Sequence, residues 1–376
     1  MSIYLDNMAA TPVDPRVADC HRSAMLVFGA NAHSTEHSDG VEAQEAIDKA
    51  GSEILKALGQ SRRSICFTPG ASAALWLAVE DCIFRTAGRL PQISASAAEH
   101  PALLSALGQA ERAGRIIFET LPVDHCGLVR MDAVEAALDR GVDLLCTMAA
   151  NNEVGTVTNV TAIREMARRA GARHLVDASQ AAGKIDIADT MDADLIVLSG
   201  AKIYGPRRTG ALIGELHGGA ADWAHGLFGS PDTPSAIALA FAVQLRAEES
   251  EFDEARIRCL RDNLQCRLMT AVPGLLVNGA DAERIAGSLH ISSPHIPGDA
   301  VVSRLWGALA VSTGAACQSG AQAPSHVLTA MGLPDWAREG AVRVGIGRFN
   351  TSEDVDRAVE LLAPALNAQA PARRVA

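Results

Sequence analysis

This chain predicts an α/β architecture: a mostly parallel sheet covered by helices on both faces, followed by a smaller α+β domain. Three observations lead there. Between residues 65 and 199 short β-rich apolar runs alternate with helical stretches, the pattern left by parallel strands joined through crossover helices. Beyond about Glu251 this gives way to a long charged amphipathic helix and a second set of strands. A chain of 376 residues with 48% hydrophobic and 20% charged content can also bury more than one core.

The chain starts extended around Ile3 to Leu5. From Val41 to Leu58, the residues Ile47, Ala50, Ile54 and Leu58 recur at helical spacing on one face. The β-rich runs follow at Ile65 to Thr68, Ile93 to Ser96, Ile116 to Leu121, Leu144 to Met148, His174 to Asp177 and Leu195 to Ser199. One intervening helix carries its own boundaries: Asn159 caps it, Ile163, Met166, Ala167 and Ala170 share a face, and Gly171 ends it. Further strands are expected near Leu275, Leu289, Val311 and Val342. We expect a large domain over residues 16–250 and a small one built from 1–15 and 251–376.

A formal net charge of −11 with a pI near 5.5 repels phosphate backbones and anionic lipid, so neither nucleic acid nor a membrane surface is expected as a partner. No apolar run approaches the ~20 residues of a membrane span. Asp6 and Pro12 stand where a signal peptide needs apolar residues. The eight cysteines are scattered singly, without the close pairs of a zinc site. No metal is expected, and a reducing cytoplasm suits these thiols.

The chemistry concentrates at strand ends. Ser199-Gly200-Ala201-Lys202 follows the apolar run Leu195 to Leu198 and so delivers a lysine at a strand's carboxyl end, where open α/β sheets bind ligands. A lysine kept from water loses proton affinity, which suits Schiff-base chemistry. A second strand end, His174 to Gln180, offers Asp177; a carboxylate buried there needs a cationic partner. The turn Thr68-Pro69-Gly70-Ala71-Ser72-Ala73 joins a strand to a helix, and its backbone N–H groups suit an anion. Each feature alone has an ordinary alternative: a solvated lysine, a helix-capping aspartate, a conformational turn.

Together these segments resemble the cysteine desulfurases of the NifS and IscS type, within the class V aminotransferases. The resemblance spans nearly the whole chain. It includes Tyr4-Leu5-Asp6-Asn7, the run Ala10 to Val17, Ala98-Glu99-His100, Asn151-Asn152-Glu153-Val154-Gly155, Gly314-Ala315-Ala316-Cys317-Gln318-Ser319-Gly320 and Arg343-Val344-Gly345-Ile346-Gly347-Arg348-Phe349. It implies the type I pyridoxal-phosphate fold, whose large domain holds a mostly parallel seven-stranded sheet, and a homodimer with its cofactor site at the subunit boundary.

Position by position, the resemblance implies that Lys202 holds pyridoxal 5'-phosphate, Asp177 pairs with its ring nitrogen and Gln180 contacts its ring oxygen. His100 would stack on the ring and assist proton transfer. Ala71, Ser72 and Ser199 would hold the phosphate, joined by Thr233 from a second subunit, while Asn152 and Arg348 would hold the substrate carboxylate. The substrate would be L-cysteine. Cys317, in a run of small residues suited to a thiol that moves, would take its sulfur as a persulfide and release alanine. The sulfur would pass to an acceptor or scaffold protein, on a route to iron–sulfur clusters, modified tRNA or modified DNA that this chain does not name. Two segments depart from the family pattern: Ala201 stands where relatives carry a phosphate-assisting histidine, and Phe228 to Thr233 replaces the usual Arg-Ser-Gly-Thr stretch. Another class V enzyme, a transaminase or selenocysteine lyase, and a degenerate scaffold of sulfur transfer remain open alternatives here.

Overall fold

Strands that are apolar along their whole length must be covered on both sides, and the sheet arrangement follows from that. The computed structural model describes residues 2–185, 193–314 and 325–368. After β1 (Ile3–Tyr4), α1 (Pro15–Val27) and α2 (Ser38–Ala57), strands and helices alternate: β2 (Ile65–Thr68), α3 (Ala71–Arg85), β3 (Gln92–Ser96), α4 (Pro101–Arg112), β4 (Ile117–Leu121), α5 (Met131–Asp139), β5 (Leu144–Met148), α6 (Val160–Ala170) and β6 (Arg173–Asp177). β7 (Leu195–Ser199) and β8 (Gly210–Ile213) complete a seven-stranded sheet of order β2-β8-β7-β6-β5-β3-β4.

The pairs β3–β4, β3–β5, β5–β6 and β6–β7 are parallel, and β8 runs antiparallel to both β7 and β2. Only β8 escapes the sequence reading. Its four residues begin at a glycine and end before another, so they read as part of a loop.

The two faces of β7 show the sheet's burial directly. Ile196 and Leu198 join one apolar cluster with Ile47 and Ile54 of α2, whereas Leu195 and Val197 join another with Leu75 and Leu77 of α3 and Leu107 of α4. Alternate side chains thus serve opposite faces. The helix predicted after Asn159 forms as α6, with the Asn159 side chain accepting from the Ala162 N–H and Gly171 in the left-handed conformation at its end.

After α7 (Gly218–Phe228) comes α8 (Thr233–Ala271), a single helix of 39 residues. The charged amphipathic pattern past Glu251 marks only its second half; the helix already starts at Thr233. Its first half, with Ala236, Leu239 and Val243, packs on the sheet cluster, and its second half, with Ile257, Leu264 and Leu268, enters a separate one. Because the buried stripe changes partners midway, no single helical periodicity runs through it.

The second cluster lies around β9 (Leu276–Val277), β10 (Ser288–Ser292) and β12 (Ala341–Gly345), an antiparallel sheet of order β12-β10-β9, backed by α12 (Ser352–Asn367). Between β10 and α12 lie α9 (Gly298–Arg304), β11 (Leu309–Ala310), α10 (His326–Ala330) and α11 (Asp335–Glu339). β1 pairs in parallel with β11 and brings the chain's start to this side of the molecule.

Gly155 joins the two regions. Its φ is +82°, and a Cβ there would lie 2.2 Å from the Ser288 hydroxyl oxygen of β10. Gly155→Ala should therefore lose about 2–4 kcal/mol of stability, read as a lower urea midpoint; an unchanged midpoint would refute the contact.

Two buried histidines set an acid limit. Burial pushes His174 down to about 3, helped by Arg164, and burial does the same to His290, helped by Arg343. Below the ordinary histidine value of about 6.5 the unfolded chain binds protons at these rings that the folded chain refuses. Stability must then fall as pH falls from about 6.5 towards 3, by ~1.4 kcal/mol per pH unit for each ring. His290→Gln should make the slope between pH 6 and pH 5 shallower by that amount; equal slopes would count against a neutral buried ring.

Candidate active site

Parallel strands end on one edge of the sheet, and the polar groups singled out at those ends meet there. A cavity of about 240 Å³ is lined by Gly70 to Ser72 after β2, His100 after β3, Asn152 after β5, Asp177 and Gln180 at the end of β6, and Ser199 with Lys202 at the end of β7. A larger open hollow of about 620 Å³ runs between α2, α7 and the sheet edge at β2, but its lining contains no lysine. The reactive groups share the smaller cavity.

Lys202 sits in a single 3₁₀ turn directly after β7. Its ammonium donates to the carbonyl of Met8 at 3.3 Å and to that of Ala9. The segment after β1 therefore forms one wall, secured by the Thr11 N–H donating to the carbonyl of Ala201 at 2.9 Å. Gln180 shares this wall: its side-chain nitrogen donates to the Met8 carbonyl at 2.7 Å, and its oxygen accepts from Lys184 at 2.8 Å. That ammonium fixes which end of the amide is the acceptor. Burial lowers the Lys184 ammonium to about 7, against the opposing pull of Glu254.

Asp177 is 6% exposed and accepts from the Ser179 N–H at 2.9 Å. Beside it lies Glu99, fully buried, with one oxygen accepting from the Met148 N–H at 2.8 Å and the other without a partner. Burial, and then the charge of Asp177, push the Glu99 carboxyl well above the usual range. Two neighbouring buried carboxyls cannot both ionise cheaply, and Glu99, the more deeply buried, holds its proton more tightly than an ordinary carboxyl.

His100 caps α4, its Nδ1 accepting from the Ala102 N–H at 3.1 Å. Burial lowers its proton affinity, Asp177 opposes this, and Lys202 and His326 add to it. A neutral ring that accepts at Nδ1 carries its proton on Nε2. At the start of α3, Gly70 provides no side-chain cap, so the first N–H groups stay available where Ala71 and Ser72 line the cavity.

Two of the expected site residues, Arg348 and Thr233, do not line this cavity. Arg348 is 9% exposed and already engaged: its guanidinium lies 3.1 Å from Asp14 and 3.2 Å from Asp253, is paired with Glu249, and stands over the ring of Tyr204. With its fork taken by three carboxylates, it has no geometry left for a substrate. The cavity contains Arg343 of β12 instead, five residues earlier in the same quoted segment. Arg343 lies 2.9 Å from Asp6 and donates at 2.9 Å to the carbonyl of Asn152, while its Nε and the Asn152 side-chain oxygen are buried without partners among the described residues. A charge in the middle of an apolar strand, Ala-Val-Arg-Val-Gly, is the signal that could have identified it.

Thr233 opens α8 and is 4% exposed within its own chain. Cys317 lies outside the described residues. Its flanks are described: Ser325 donates to Glu153 at 2.5 Å, and a Cβ on Gly314 would stand 3.3 Å from the same carboxylate oxygen. One buried glutamate thus touches the residues on either side of 315–324.

Comparison with known proteins agrees with this geometry. The family model for class V aminotransferases matches residues 3–358. The chain is 35% identical over 381 aligned residues to cysteine desulfurase IscS of Shewanella baltica, covering 98% of this chain and 93% of that protein. Among solved structures, a NifS-like protein superimposes with a TM-score of 0.86 at 28% identity, covering 97% of this chain and 99% of that one. SspA in complex with cysteine does so with a TM-score of 0.77 at 26% identity, covering 93% and 100%. A lysine, an aspartate and a histidine converging on one sheet edge, in a chain alike from end to end, place it in the class V aminotransferase family, on the cysteine desulfurase branch of the IscS and NifS proteins.

Proposed function

We propose that this protein takes sulfur from L-cysteine, forming alanine and a persulfide on Cys317, with pyridoxal phosphate held by Lys202. The observation that carries this reading is the meeting of Lys202, Asp177, His100 and the open start of α3 in one cavity. Enzymes of this family depend on pyridoxal phosphate, and the donor set suits it: a carboxylate for the ring nitrogen, an amide nitrogen for the ring oxygen, and N–H groups with two serine hydroxyls for the phosphate. When bound, the cofactor supplies an electron sink for the charge left by removal of the substrate's α-proton.

The protein's own groups do the rest. Arg343, whose Nε–H is unspent among the described residues, and the side-chain amide nitrogen of Asn152 donate to the substrate carboxylate. The Lys202 amine takes the α-proton. The Nε2 proton of His100 is available to a developing negative charge, and the Asp177 carboxylate pairs with the ring nitrogen. The Cys317 thiolate attacks the substrate sulfur, so that a sulfur–sulfur bond forms as the carbon–sulfur bond breaks, and carbon takes up protons to leave as alanine.

We read the enzyme as a cytoplasmic homodimer that passes its sulfur to an acceptor protein. Among the described cysteines none is in a disulfide, which suits a reducing compartment. No helix among the described residues is long and apolar enough to cross a membrane.

Purified protein incubated with L-cysteine and a reductant should release alanine and sulfide, and Cys317→Ser should lose at least ~100-fold in turnover. Undiminished turnover in that variant would move the chain to another class V activity; a colourless protein yielding no alanine would end the cofactor reading. The two arginines should separate cleanly. Arg343→Ala should lower kcat/KM for cysteine ~100-fold, in addition to the stability it loses by unpairing Asp6. Arg348→Ala should instead cost about 3 kcal/mol of stability while KM stays near wild type; the reverse pattern would restore Arg348 as the substrate's partner.

A further inference from the structure

We infer that Arg208 is a further anchor for the cofactor phosphate, acting at the α3 end of the cavity. This rests on the pyridoxal phosphate reading above. Arg208 has a φ of +57°, a left-handed conformation that glycine adopts freely and an arginine only under strain. Tyr204 is the other non-glycine residue with positive φ among those described, and its position has a visible structural use: its hydroxyl accepts from the Arg348 N–H at 2.8 Å, and two guanidinium groups stand over its ring. No such use holds Arg208. Its exposed side chain forms no ion pair or hydrogen bond with another described residue. Strain kept without a structural return points to a ligand.

Its place in the fold indicates which ligand. Arg208 lines the site cavity and also an adjoining hollow bounded by Phe67 to Pro69 and Phe228 to Asp232. Two residues on, Gly210 is pressed against the start of α3, where a Cβ would lie 2.8 Å from the carbonyl carbon of Gly70 and 2.9 Å from the nitrogen of Ala71. The turn carrying Arg208 is thus held beside the uncapped first N–H groups of that helix. The cavity's other guanidinium, Arg343, is engaged by Asp6 and the Asn152 carbonyl. Ala201, beside Lys202 in the lining, presents only a methyl group. A phosphate at α3 would otherwise meet dipoles and hydroxyls alone, and the Arg208 fork supplies the cation of matching geometry.

The test compares two ligands on full-length protein freed of cofactor: pyridoxal phosphate and pyridoxal, which lacks the phosphate. R208G should raise the Kd for pyridoxal phosphate ~10-fold or more and leave that for pyridoxal within about twofold, with R208K falling between wild type and R208G. Glycine relieves the backbone, so the thermal midpoint of the cofactor-free R208G protein should not drop. Equal Kd values for pyridoxal phosphate in wild type and R208G would overturn the role of Arg208 alone. A parallel loss for both ligands would also overturn it, by showing an effect on the fold rather than on the phosphate. Wild-type protein that binds neither ligand would bring down the cofactor reading itself.

Discussion

Parallel pairing of β3, β5, β6 and β7 is the constraint on which the site depends. Strands that run the same way must end on the same edge, and the connections from β3 through β4 to β5 and from β5 to β6 pass through covering helices. Residues just over a hundred positions apart, His100 and Lys202, therefore line one cavity. The antiparallel β8 then closes the sheet beside β7 and holds its turn against the start of α3. The edge that gathers a lysine, an aspartate and a histidine thus also gains an open helix terminus.

Charge is distributed around this edge by burial. Glu99 feels the charge of Asp177, and desolvation together with that charge raises the Glu99 carboxyl well above the usual range. Further back, Arg246 is buried with Asp253 at 2.5 Å and Glu254 at 2.7 Å, and Asp253 also meets Arg348. Arg16, Asp14 and Glu249 extend the set to the surface. Each buried charge in this network has an opposite neighbour, which such burial requires. The network reaches the cavity through Lys184 and the amide of Gln180, so the ion pairs that knit α8 to the chain's start also help orient a group at the site.

Much of the site was legible because strand ends carry local signals. An apolar run followed by Ser-Gly-Ala-Lys, or by Asp-Ala-Ser-Gln, is short, contiguous and independent of what packs around it. The arginines were not legible in this way. Arg343 and Arg348 lie in one segment, five residues apart, and both are surrounded by small and apolar neighbours in the chain. What separates them is the company each finds in space: Asp14, Glu249 and Asp253 for one, Asp6, the Asn152 carbonyl and the lining of the cavity for the other. β8 was missed because two glycines bound its four residues, and the start of α8 because its buried face changes partners halfway.

The amino-acid sequence by itself determined the strand and helix periods, the chemical types delivered at the strand ends and the family pattern spread along the chain, since all three are written in neighbouring residues. Tertiary structure alone decided which arginine lines the cavity, which carboxyl is the more deeply buried, and which side chains stand near the start of α3. Those outcomes depend on distances and desolvation between residues remote in sequence, quantities that no local pattern encodes.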